Sequence, residues 1–307
     1  MSRWVLVVAT VGLFLIWSNS FVAMSYLLGA ERSPRRLDWV ELTVARFVFA
    51  GVACGLYLAS FQRREALRLA RAHPVRLVVC ALLVVPVYNL ALYYAQQHGI
   101  PPAIASLTTA LVPLFVLVLS RVFLGEAWTA GKLVGLTVSS AGMLLVASAR
   151  GGLDSTYPSL VLLAVTAPAC WSVYSVLSKP VAATSSPLVW SYSALTLGGL
   201  FVLPGLASSG ASIAALDGAG WAALAYLALP CAVLGNAVWT WLLRHLPAGT
   251  VGFTVFLNPP LTTASKWLLA LGLPGVFEFT LRPLEFAGAI IVLCGLWIAI
   301  RRPRAGS

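Results

Sequence analysis

The stretch Trp4–Leu28 reads WVLVVATVGLFLIWSNSFVAMSYLL, 25 residues without a single charge. A helix needs about 20 predominantly apolar residues to cross the hydrocarbon core of a bilayer, so this run is long enough to span it. It is too long for the core of a signal peptide, and no clear small-residue cleavage site follows it. The expectation is a first spanning helix, retained in the mature protein.

Working outward, nine further apolar segments can be cut from the chain, at roughly residues 39–60, 77–97, 103–124, 132–149, 160–178, 188–206, 219–243, 249–271 and 284–300. Segments this apolar must satisfy their backbone polar groups internally, which makes them helices rather than open strands. A barrel strand would alternate between apolar and polar, and Leu111–Leu119 does not alternate. The fold class expected is therefore all-α and polytopic, with ten transmembrane helices.

Composition agrees. Of 307 residues 60% are hydrophobic and only 9% are charged, where a soluble domain carries about 25%. An ordinary cytosolic enzyme, a disordered chain and a nucleic-acid-binding module are all excluded. The net charge of +11 is read through the membrane, because lysine and arginine favour cytoplasmic loops. Alternating the ten segments across the bilayer puts thirteen Lys and Arg residues on the side of the termini and five on the other. Arg46 and Lys266 fall inside spans. Both termini are thus expected in the cytoplasm of a plasma (inner) membrane protein. The Arg-rich segment 62–76 reads as the main topogenic loop, or as a short amphipathic piece on the inner leaflet. The partners expected are the lipid bilayer and a small-molecule substrate, with no nucleic acid. Five cysteines stand singly in apolar runs, so neither a disulfide framework nor a metal site is expected, and no cofactor.

The two halves echo each other. Trp17-Ser18 recurs as Trp171-Ser172, Pro113 as Pro259, and Gly135 with Gly142 as Gly288 with Gly295. The offsets are 154, 146 and 153 residues, and Gly272–Pro283 can absorb the difference. Two units are expected, residues 4–149 and 158–302. Five helices in each, an odd number, force the halves into opposite orientations. Inverted repeats of this kind form alternating-access transporters with a substrate site near the midplane.

At these residues the chain resembles a family. Ile16-Trp17-Ser18-Asn19-Ser20-Phe21-Val22 is similar to the first-helix opening of EamA-type members of the drug/metabolite transporter superfamily. Arg46-Phe47 resembles that family's Arg-Phe pair, and Pro113-Leu114-Phe115 with Phe123-Leu124-Gly125-Glu126 resembles its fourth helix and the Leu-Gly-Glu that closes it. Leu257-Asn258-Pro259 stands where the family usually shows Leu-Glu-Pro, and nothing after Leu271 reproduces Leu-Gly-Glu. The resemblance covers nearly the whole chain and implies ten helices in two inverted five-helix EamA-like repeats. It also implies a central cavity lined by helices one to four and six to nine, with helices five and ten outside it.

Polar residues in hydrocarbon are costly, so their positions carry information. Asn89, Tyr93 and Gln96 or Gln97 share one helical face, as do Trp171, Tyr174, Ser175 and Ser178, and Thr254, Asn258, Thr262 and Ser265. Asn236 with Trp239 and Trp17 with Ser20 form shorter stripes. Each Ser or Thr alone reads as adhesion between helices. Trp17, Asn19, Asn89, Tyr93, Trp171, Tyr174, Asn236, Trp239 and Asn258 together read as a substrate-binding cavity for an amphipathic small molecule. Arg46 and Lys266 lie roughly 8–10 Å below the outer boundary at 1.5 Å per residue. They either form a cationic ring for an anionic substrate group or snorkel outward. All nine acids map to loops or helix ends, which leaves the coupling mode open.

The function expected is a secondary transporter, an exporter of a small metabolite or drug-like solute. No Gly-x-x-x-x-Gly-Lys-Ser/Thr phosphate loop is present. An intramembrane enzyme would need a nucleophile with its base or paired carboxylates in the bundle. A lipid-type flippase on the same bundle is the other alternative. The Gly131-x-x-x-Gly135 spacing permits close packing, either inside the bundle or across a homodimer interface.

Overall fold

The computed structural model describes residues 2–29, 34–98, 108–149, 158–272 and 282–300, and among them every regular element is helical. The rods run α1 Arg3–Leu28, α2 Trp39–Ala72, α3 Pro74–Gln97, α4 Thr109–Leu124 and α5 Ala130–Ala149. Then follow α6 Pro158–Thr184, α7 Pro187–Ala214, α8 Gly218–His245, α9 at residues 248–272 and α10 Pro283–Ile300. Among the described residues, six of these are long and apolar enough to cross a membrane: α1, from Trp4, with α2, α3, α7, α8 and α10. Residues Thr109–Leu124 and Ala130–Val146 are shorter apolar helices.

Local chemistry sets the helix ends. Asp38 opens α2 by accepting from the Val40 and Glu41 amides, while the Glu41 side chain accepts from the Asp38 amide, a reciprocal cap that satisfies donors the helix leaves orphaned. Ser186 and Asp217 cap α7 and α8 in the simpler way. The helix of α4 stops at Gly125, whose φ of +68° is a left-handed conformation that a side chain makes costly.

Of the two readings of 62–76, the short amphipathic piece is the one the helix matches, and the plain loop is corrected. Arg63–Ala72 is helical and continues α2 through a wide turn at Leu58–Gln62. No Gly or Pro interrupts the chain from Leu56 to His73, and Arg, Glu, Ala and Leu are good helix formers. The 34 residues of α2 therefore extend over about 51 Å at 1.5 Å per residue, well beyond a hydrocarbon core of about 30 Å. Pro74 then starts α3, because the residue before a proline is pushed out of the helical region.

The tightest seam joins α5 to α10. A Cβ on Gly135 would sit 2.6 Å from the Gly295 carbonyl oxygen, and one on Gly142 would sit 2.7 Å from that of Gly288. Gly131 faces the Ile298 carbonyl, so numbers rise along one helix as they fall along the other and the pair is antiparallel. The Gly131 and Gly135 face is thereby covered by α10, within the same chain. Lipid tails are as apolar as leucine, so van der Waals contact at this range, rather than hydrophobic burial, holds such helices together. A similar close approach joins α2 to α7 at Gly51 and Gly199.

Replacing Gly135 by leucine should cost about 1–3 kcal/mol, the usual penalty of overpacking a close contact. Thermal unfolding in detergent should show a Tm lowered by several degrees. Gly12→Ala, where nothing lies within 4 Å of the added carbon, should leave Tm unchanged or raise it.

Candidate functional site

Two prolines shape the middle of the bundle. Pro86 lies in a wide, π-helical stretch of α3 at Leu83–Val87, and Pro230 in one of α8 at Leu227–Leu234. A proline interrupts the backbone ladder, and in hydrocarbon the loosened carbonyls must find donors elsewhere. Pro86 and Pro230 take the donor from the carbonyls four residues earlier, Leu82 and Tyr226, and side chains bond other carbonyls of the same wide turns. Asn89 Nδ2 donates to the carbonyls of Val84 and Val85 at 3.0 and 2.8 Å. Trp17 Nε1 donates to the Cys231 carbonyl at 3.0 Å, and Arg46 Nε to that of Leu227 at 3.0 Å.

These donors line a central cavity of about 90 Å³. Drug-sized ligands occupy pockets of about 300–1,000 Å³, so this state is contracted and holds only a few waters' worth of space. Its walls come from α1, α2, α3, α4, α6, α8 and α9. Among the described residues, helices α5 and α10 contribute nothing to the lining, as the resemblance implied. Helix α7 also contributes nothing, which corrects the implied set, because Gly198 and Gly199 press it instead against Val85 and the Phe47 carbonyl.

Seven of the sequence-expected residues meet here: Trp17, Arg46, Asn89, Tyr93, Trp171, Asn236 and Asn258. Trp17 and Trp171 touch edge to face with centroids 5.3 Å apart, a favoured arrangement for aromatic pairs. Trp239 is fully buried behind them, 5.6 and 5.4 Å from the two rings, and its Nε1 donates to Ser175 Oγ at 3.0 Å. Tyr174 stands behind Trp171 and pairs its hydroxyl with Thr240 Oγ1 at 3.2 Å. Both therefore brace the wall from outside the cavity. Asn19 lies away from the cavity and donates to the Leu15 carbonyl of its own helix at 2.9 Å. Lys266 is on α9, and its side chain lies outside the described residues.

Arg46 turns inward. Its Nη1 donates to the Tyr93 hydroxyl, and its guanidinium carbon stands 5.0 Å from the centre of the Phe47 ring. Among the described residues no carboxylate pairs with it; the ion pair of Arg36 with Asp217, at 3.8 Å, lies at the start of α8. A guanidinium has five donors in a planar fork that matches a carboxylate. Among the described residues this cation has neutral partners only: the Tyr93 hydroxyl, the Leu227 carbonyl and the Phe47 ring.

The polar-stripe reasoning missed the apolar lining. Beside Trp17, Phe14, Phe21 and Met24 line the cavity from one face of α1 at helical spacing, but their apolar side chains give no cost signal in hydrocarbon. Tyr88, Thr109 and Cys231 were missed too. The adhesion reading suits Ser178, which accepts from Trp190 Nε1 at 3.0 Å, and Thr262, which donates to the Ser18 carbonyl at 3.4 Å.

Comparison with known proteins places the chain among transporters. The profile of the EamA-like transporter family matches residues 3–148 and again 158–301. A probable terminal-alkyne amino-acid exporter of Streptantibioticus cattleyicolor is 27% identical over 97% of this chain and 93% of its own. The uncharacterized inner membrane transporter YedA of Escherichia coli K12 is 25% identical over 87% and 82%. A probable amino-acid metabolite efflux pump of Salmonella typhimurium is 27% identical over 68% and 71%. One solved crystal structure covers 97% of both chains with a TM-score of 0.69 at 21% identity, which speaks for the fold.

A Cβ on Gly235 would collide with Trp17 Nε1. Gly235→Ala should therefore displace the indole from the Cys231 carbonyl. Near-ultraviolet circular dichroism of the tryptophans should change while the far-ultraviolet helical signal stays; an unaltered near-ultraviolet spectrum would contradict this placement of Trp17.

Proposed function

The chain belongs to the EamA-like transporter family, and we propose that it is a secondary transporter exporting a small, carboxylate-bearing metabolite that docks on Arg46. It is a multi-pass membrane transporter and not an enzyme. The observation that carries the proposal is the inward guanidinium, lining the cavity beside two tryptophans with no carboxylate partner among the described residues. Burying an unpaired cation is expensive, and an arriving carboxylate removes that cost. Two relatives named for amino-acid products, both described as exporting them, support the same chemistry and an outward direction. The contracted cavity supports a small solute over a lipid-length one.

In this reading ten crossings form two inverted halves, residues 4–149 and 158–302, with both termini in the cytoplasm of an inner membrane. The seam of α5 and α10 supports it. Ser139 Oγ donates to the Val292 carbonyl at 3.1 Å, and these residues are 153 apart, the offset that also relates Gly135 to Gly288. A residue meeting its own repeat partner across an antiparallel pair is what a pseudo-two-fold axis produces. Trp17 and Trp171, which are 154 apart in sequence, meet the same way at the cavity. Helix α1 packs on α8 and α9, and α6 on α3 and α4, which is the exchange that the axis requires. Alternating access would then rock one half against the other. It would break ties such as Glu126 to the Ala248 and Gly249 amides, at 2.6 and 3.0 Å.

Comparing the metabolites released by cells with and without the protein should reveal a carboxylate whose export depends on it. Arg46→Gln should then lower its transport in proteoliposomes by roughly 10- to 150-fold, since a hydrogen bond to a charged group contributes about 1.5–3 kcal/mol. Unchanged transport by this variant removes the carboxylate seat.

A further inference from the structure

The cavity has a second polar end. Arg46 holds the carbonyl of Leu227, and Asn236 lies nine residues further along α8; the wide turn at Leu227–Leu234 shortens the rise below 1.5 Å per residue, so the two levels are on the order of 10 Å apart. Asn236 stands nine residues before His245 at the end of α8, and Asn258 ten residues after Ala248 at the start of α9. The two amides thus share one depth, about 14–15 Å from the same end of the bundle. Both line the cavity, and both are only 5% exposed.

Each amide also holds a buried Oδ1 without a hydrogen-bond partner. Polar atoms left in this way are rare in folded proteins and call for an explanation. For Asn236 the orientation is fixed, because its Nδ2 donates to the Ala232 carbonyl at 2.8 Å and a flip would set oxygen against oxygen. Asn258 makes no side-chain hydrogen bond among the described residues, so its amide can turn its oxygen to a ligand. The open valences at this level are therefore acceptors. Between them and Arg46 lies the indole of Trp17, held at Cys231, with Trp171 against it.

An ammonium group fits this end. It offers three donors and no acceptor, and indole faces attract cations. Resting on the reading of Arg46 as a carboxylate seat, we infer that Asn236 and Asn258 form an amine subsite. The ligand carries its carboxylate and its amine at opposite ends of an apolar middle, with the charges on the order of 10 Å apart, rather than both on one carbon.

Four six-carbon compounds test this by titrating the tryptophan fluorescence of the purified full-length protein: 6-aminohexanoate, hexanoate, norleucine and hexylamine. The wild type should bind 6-aminohexanoate at least tenfold more tightly than each of the others. Asn236→Leu and Asn258→Leu should collapse that margin, and Asn258→Asp should widen it by placing a full charge beside the amine. Hexanoate or norleucine binding the wild type as tightly as 6-aminohexanoate overturns the amine subsite whatever the variants do, as does a failure of 6-aminohexanoate to bind. If hexanoate binds and Arg46→Gln leaves its affinity unchanged, the carboxylate seat fails instead, and the two ideas are told apart.

Discussion

Hydrocarbon offers a backbone carbonyl no water to bond, and this single constraint links the bend of the helices to the make-up of the cavity. Where Pro86 and Pro230 widen a helix, the nearby carbonyls accept from Asn89, Trp17 and Arg46. The side chains that bond these carbonyls are the ones that face the space between the helices. Wide turns of this type recur at functional sites. The cavity wall includes these donors.

Two halves that match the same family profile carry unlike chemistry. The glycine seam and the paired tryptophans treat the halves alike, yet Arg46 has no counterpart: residues 192–200 of α7, where an offset near 150 would place one, contain no charge. Trp17 spends its N–H on the Cys231 carbonyl, while Trp171 makes no such bond among the described residues. One end of the cavity is cationic, and the level of Asn236 and Asn258 is neutral and rich in acceptors. Under the proposed function, two unlike ends would orient a cargo, which a symmetric site cannot do.

Much of this was legible in the sequence, for identifiable reasons. Apolar run length gave most helices within a few residues, since a bilayer sets that length. The polar residues Asn89, Tyr93, Asn236 and Asn258 were found because polarity in hydrocarbon is costly enough to mark a position. That marker is blind to Phe14, Phe21 and Met24, which line the cavity with apolar carbon. It also cannot separate lining from bracing, and so Tyr174 and Trp239 were placed one layer too far in. The helical extension at Arg63–Ala72 was hidden by its charge, since a bilayer-length argument says nothing about helix outside the hydrocarbon. Whether Arg46 snorkels or turns inward depends on Tyr93 and the Leu227 carbonyl, contacts that only the folded bundle supplies.

Opposed halves around a shared cavity are the core of the account, and sidedness tests them most directly. Single cysteines would be introduced as Arg150→Cys and as Arg304→Cys in a chain whose five native cysteines are replaced, then exposed to a membrane-impermeant thiol reagent on intact cells. The account predicts labelling at position 150 and, until the membrane is opened, none at position 304. Equal labelling of both from one side would place the ends of the two halves on the same face and contradict it.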